Sequence, residues 1–146
     1  MLDSFRDLID GLTQTPSSLR ELLGNPVPDD IPADVKARLA ELCTREKVEV
    51  RRVQSVMRER RARLRPIEYE PELARLDDTE RSPEEMLAEF NNERSELISL
   101  LVNLTLRDWD RKVDHDEKGE ITLADEIENH LTWDEDMLDE FERAMS

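Results

Sequence analysis

Residues able to do chemistry are few in this chain, and their spacing limits what they could do. His130 and Asp134 stand four apart in a segment of helical periodicity, so an imidazole and a carboxylate share one helix face. That pairing serves a hydrogen bond, or two of the ligands of a divalent ion. His115 precedes Gly119 in a polar stretch without a second histidine nearby, which fits a side chain that stabilises a turn. Cys43 is the single cysteine; no internal disulfide can form, and its apolar helical setting makes it a small core residue. No glycine-rich phosphate loop, Cys-x-x-Cys pair or recognisable Ser-His-Asp arrangement is present. Carboxylates abound, but most fall on predicted solvent faces, where abundance alone makes no acid–base pair.

One stretch departs from the acidic background. Arg51 to Arg65 holds seven arginines and one glutamate. It lacks the interleaved aromatics of a nucleic-acid surface, and the net charge of −16 repels a phosphate backbone or an anionic membrane. The expected partner of the island is acidic surface, in the same chain or in a second subunit, where residues 134–142 would offer it.

The elements that position these groups are helical. Charged residues make up 40% and hydrophobic ones 37%, yet the apolar positions are periodic, which separates the chain from a disordered one of similar composition. At 146 residues, one domain over 1–146 is expected. Leu2, Phe5, Leu8, Ile9 and Leu12 predict a first helix, and Thr15-Pro16 starts a second or kinks the first, up to Gly24. Asn25 to Pro32 reads as a loop. Ala33 to Arg63 has neither Gly nor Pro, and its apolar stripe from Val35 to Met57 predicts one helix of roughly 30 residues. Pro66 to Arg81 reads as a long crossover anchored by Ile67, Tyr69, Leu73 and Leu76. Ser82-Pro83-Glu84-Glu85 starts a helix that runs to about Thr105. Asp108 to Val113 predicts a short helical turn anchored by Trp109, and Asp114 to Glu120 a polar loop. Thr122 then caps the last helix, with Asp125 three residues on and an apolar stripe from Leu123 to Met145. Four long helices and one long crossover between the second and third make an all-α four-helix bundle. The first residues lack a basic region and a cleavage site, and no apolar run approaches about 18 residues, so a cytoplasmic protein without membrane contact is expected.

The order of these features resembles the DinB-like superfamily, helical bundles that include bacterial thiol-dependent transferases and many members without assigned activity. The matching pieces are Leu12 to Leu23, Leu42 to Met57 with Glu46 and Arg52, Glu93-Arg94, Trp109, His115, Gly119, Thr122, Leu123 and Asp134. The resemblance implies an up-down-down-up bundle and a homodimer. It also implies a divalent ion held by one histidine of the second helix and a His-x-x-x-His pair of the last, with positions left open for a water or a thiolate.

At those three positions this chain carries Glu41, Trp133 and Met137. Tryptophan cannot ligate such an ion and a thioether suits only soft metals. The expectation is a bundle without cofactor or catalytic metal, in which Glu41, Trp133 and Met137 line a pocket for a small ligand, or which acts through protein interaction. The alternative is a thiol transferase or hydrolase that holds zinc, nickel or manganese through Glu41, His130 and Asp134.

Overall fold

The computed structural model describes residues 2–69 and 81–145. They form α1 (Leu2–Leu23), α2 (Ala33–Arg58), β1 (Arg63–Leu64), α3 (Pro83–Val102), α4 (Leu106–Trp109), β2 (Lys112–His115), β3 (Gly119–Thr122) and α5 (Leu123–Met145). Leu73 and Leu76, expected as anchors of the crossover, lie outside the described residues.

Pro16 sits inside α1 and does not break it. Proline removes the N–H that would bond the Leu12 carbonyl, and Arg94 Nη1 takes that carbonyl instead at 2.8 Å. Thr15 is therefore no cap; its hydroxyl donates to Asp134 Oδ2 at 3.0 Å. Gly24, at φ +110°, ends α1, its N–H bonded to the Arg20 carbonyl. Ser82 Oγ accepts from the Glu85 N–H and Pro83 opens α3, as expected. Thr122 and Asp125 exchange both bonds of a capping box at the start of α5.

Three boundaries differ from expectation. The second helix stops at Arg58 rather than Arg63, because the chain beyond it pairs with the segment expected to be a loop. β1 runs parallel to β2, with Arg63 opposite Asp114 and Leu64 opposite His115, and β2 runs antiparallel to β3. Buried Ala62, Leu64 and Val113 hold this small sheet to the bundle. Arg61 reaches Asp114 and Glu120, and Arg63 reaches Asp116. The acidic partners of these two island arginines thus lie in the same chain. Asp114 to Glu120 is accordingly a β-hairpin, not a loop. Thr105 ends the third helix early by capping α4 through a second box with Asp108, which sets the short helix at Leu106–Trp109. Trp109 anchors it as expected, stacked on Phe5 with ring centroids 4.8 Å apart.

Two apolar clusters fill the bundle. One joins the C-terminal halves of α1 and α5 to the N-terminal halves of α2 and α3, through Leu19, Leu39, Leu42, Phe90 and Phe141. The other joins the opposite halves through Leu12, Val53, Leu97 and Ile127, with Trp109 and Val113. On every long helix buried polar residues fall between the two, among them Thr15, Glu46 and Glu49, Arg94, and His130 with Asp134, while Arg52 and Glu126 are buried beside the second. A polar layer therefore crosses the bundle at mid-height. Among the described residues no helix is long and apolar enough to cross a membrane.

Candidate functional site

Arg94 is the centre of the polar layer. Its Nε and Nη2 donate to the two oxygens of Glu46 at 2.6 and 2.8 Å, and Nη2 and Nη1 face the two oxygens of Asp134 at 3.1 and 2.9 Å. With the Leu12 carbonyl, the guanidinium is bonded to three helices besides its own. The planar fork matches two carboxylates at once, which a lysine could not do. Burial works against the charge, but Glu46 and Asp134 together hold Arg94 more firmly protonated than an ordinary arginine. Burial likewise pushes Glu46 up, while His130 and Arg94 outweigh it and hold the carboxyl at about 2.

His130 completes the layer. Its Nε2 lies 2.8 Å from Glu46 Oε1, and its Nδ1 lies 3.1 Å from Arg45 Nε. Arg45 Nε carries a proton and Glu46 Oε1 does not, so the ring's hydrogen belongs on Nε2 and its lone pair on Nδ1. The 3.3 Å contact from Arg94 Nη2 to Nε2 is then a meeting of two donors, tolerated because both point at Glu46. Ligand atoms of Glu46, His130 and Asp134 all lie within 4.8 Å of one another, as around a metal ion. The positive charge among them is Arg94.

A second carboxylate pair lies on the Nδ1 side of His130. Glu49 is fully buried; no N–H among the described residues reaches its oxygens, and its carboxyl shares a hydrogen bond with that of Glu126. Its Oε2 is 3.9 Å from His130 Nδ1. Burial, with the neighbouring charge of Glu126, pushes the Glu49 carboxyl well above the ordinary range. Burial opposes the charge of Glu126 as well, but Glu49 and Arg52, whose Nη1 donates to Oε2 at 2.7 Å, hold its carboxyl low. Arg52 also donates to the Arg65 carbonyl at 2.5 Å, so this island arginine is a tie between α2, α5 and the start of the crossover. Nothing in periodicity marked Glu49 or Glu126 for attention. The available signal was a glutamate standing on an apolar stripe, beside Val50 and Val53 in one case and Ile127 in the other.

Above this pair opens a groove of about 350 Å³, lined by Arg45, Arg52, Tyr69, His115, Glu126 and Trp133 among others. Arg45 lies over the Trp133 ring, 4.7 Å from its centroid, and the His130 and Trp133 rings are parallel at 6.4 Å. His115 Nδ1 accepts from the N–H groups of Glu117 and Lys118, the turn role expected of it, and its Nε2 is 3.9 Å from Glu126 Oε1. A larger groove of about 610 Å³ lies between α1 and α4, but its ionisable residues are Arg6 and Asp10 alone.

Of the residues singled out in the sequence, His130 and Asp134 come together, and the acid beside them is Glu46. Glu41 pairs with Arg38 instead. Trp133 lines the groove, whereas Met137 is buried in the apolar cluster with Phe90 and Phe141. Cys43 is core, as expected: its Sγ donates to the Met86 carbonyl, and burial pushes the thiol up to about 12.

No protein-family model matches the chain, and no curated protein matches it in sequence. Among solved structures, it is similar to YfiT from Bacillus subtilis, described as a probable metal-dependent hydrolase with an unusual four-helix bundle topology. The match has a TM-score of 0.79 at 21% identity and covers 97% of this chain and 87% of that one. The match bears out the four-helix bundle expected from the sequence.

Proposed function

We propose that this bundle binds a small polar molecule in the groove beside Trp133, without an ion at Glu41, Trp133 and Met137 or within the Glu46–His130–Asp134 group. One observation carries the reading: the guanidinium of Arg94 occupies the centre of that group. A divalent ion there would face a fixed positive charge at hydrogen-bonding distance, in a buried layer where charge repulsion is weakly screened. Displacing Arg94 would also strand the Leu12 carbonyl, whose helical donor Pro16 lacks. The donor set thus fits an arginine and does not fit a metal.

The groove supplies what ligand recognition needs, an apolar wall and a few convergent polar groups. Trp133 and Tyr69 offer ring faces, Arg45 and Arg52 offer donors, and Glu126 accepts. We place the protein in the cytoplasm as a homodimer, a setting that suits a lone buried thiol with no disulfide. The test is Trp133 emission in full-length protein titrated with small carboxylates and thiols, citrate and glutathione included, with Trp133→Phe as the blank. A saturable change that disappears in Arg45→Ala supports the reading. No saturable change across the panel, or one that survives in Trp133→Phe, sinks it.

A further inference from the structure

We infer that two copies of this chain meet through the apolar groove between α1 and α4, related by a twofold axis that sets Arg6 of each copy against Asp10 of the other. That rests on the homodimer reading above, to which it adds the face.

Among the described residues the exposed large hydrophobics are Val102, at 58%, and Leu106, at 43%. Both line this one groove of about 610 Å³, Val102 from the end of α3 and Leu106 from the start of α4. Thr105 brings them together, because it ends α3 and caps α4 in one turn of chain. Beside them Phe5 and Trp109, stacked ring on ring, give the groove an apolar floor. A lone exposed apolar side chain is ordinary on a protein surface, but two flanking the same apolar groove make a patch.

Charge decides what covers it. The chain carries −16, so two copies repel one another over most of their surface and meet most readily where charge balances locally. The groove's ionisable residues are Arg6 and Asp10, which sum to zero. Both are exposed, and neither has an ion-pair partner among the described residues. Four residues apart, they share one face of α1 at about 6 Å along its axis. A twofold axis passing between them runs the two α1 helices antiparallel and brings each arginine to the aspartate of the other copy, twice over. An apolar centre flanked by one cation and one anion is a surface that complements itself. The arginine island and the outer face of α5 lack that property, since each is dominated by one sign: seven arginines against one glutamate over 51–65, and no lysine or arginine over 131–142. A contact between those two surfaces would be head-to-tail, which gives a ring or a filament rather than a closed pair.

The test is the mass of the full chain by sedimentation across protein concentration. Wild type should dimerise, and Val102→Lys should weaken the dimer about tenfold or more, although lysine lowers the net negative charge and so lessens general repulsion. Leu106→Lys should do the same, and circular dichroism shows that each variant is folded. Arg6→Glu and Asp10→Arg should each weaken the dimer several-fold, because like charges then meet across the axis. Mixing these two variants should restore it, since every arginine again faces a carboxylate of the other copy; a pair acting only within its own chain gives no such rescue. A wild type that stays monomeric up to roughly millimolar concentration sinks the homodimer reading and this face with it. A dimer that survives both lysine variants leaves the homodimer standing and overturns the face. So does a mixture that fails to recover, or an association that weakens as salt rises, which would belong to the arginine island instead.

Discussion

Arg94 Nη1 lies 2.8 Å from the carbonyl oxygen of Leu12, the one carbonyl of α1 that Pro16 cannot engage. A proline that would otherwise break a helix thus makes the acceptor on which the bundle's central guanidinium docks. Replacing Arg94 by Met keeps the volume and removes the charge, leaving Glu46 and Asp134 buried and uncompensated. The expected loss is about 3–5 kcal/mol in urea unfolding, with Arg94→Lys in between, because a lysine keeps the charge without the fork. An Arg94→Met protein as stable as wild type would show the layer to be dispensable.

Much of this architecture was legible in the sequence. Glu46, Arg94, Thr122 and Asp134 carry the family resemblance, and the structure shows why such residues identify a fold: three form the central layer and one caps α5. The helices followed from apolar periodicity and from caps within a few residues of one another. The hairpin did not, since strands of four residues with charged outer faces give too short an alternation to detect. The groove was not legible either, apart from Trp133. It is assembled from Tyr69, His115 and Trp133, which no local pattern brings together.

The start of α5 depends on a single hydroxyl. Thr122 Oγ1 accepts from the Asp125 N–H at 3.1 Å while Asp125 returns the bond to the Thr122 N–H at 3.0 Å. Thr122→Ala should cost about 0.5–2 kcal/mol, and Thr122→Ser much less, since serine keeps the acceptor. Chemical denaturation of the pair measures the difference, and equal losses in both would point to lost strand packing in β3 instead.

Acid sensitivity should trace partly to Glu84. The Arg20 guanidinium, at 2.5 and 3.1 Å, and the Val27 N–H, at 2.8 Å, hold its carboxyl below its ordinary 4.5. A carboxyl lowered in the folded state contributes stability above its unfolded pKa and loses it as pH falls through the folded value. The pair is partly exposed, so the contribution is about 0.5–1 kcal/mol. Thermal melts of wild type and Glu84→Gln should differ by that amount above about pH 5 and converge towards pH 3. A gap that persists in acid would assign the effect to packing.

Glu49 opposes folding at neutral pH. Burial and the adjacent Glu126 hold its carboxyl well above the ordinary range, so the folded chain favours a proton that the unfolded chain would release. Glutamine has the same shape and no charge, and its amide hydrogens would face two acceptors, Glu126 and His130 Nδ1. At neutral pH, Glu49→Gln should therefore be more stable than wild type, by about 1–3 kcal/mol. Few buried substitutions stabilise a protein, so a gain here marks a residue kept for something other than folding. A destabilised Glu49→Gln would mean that the hydrogen bond between Glu49 and Glu126 outweighs the cost of burying the acid.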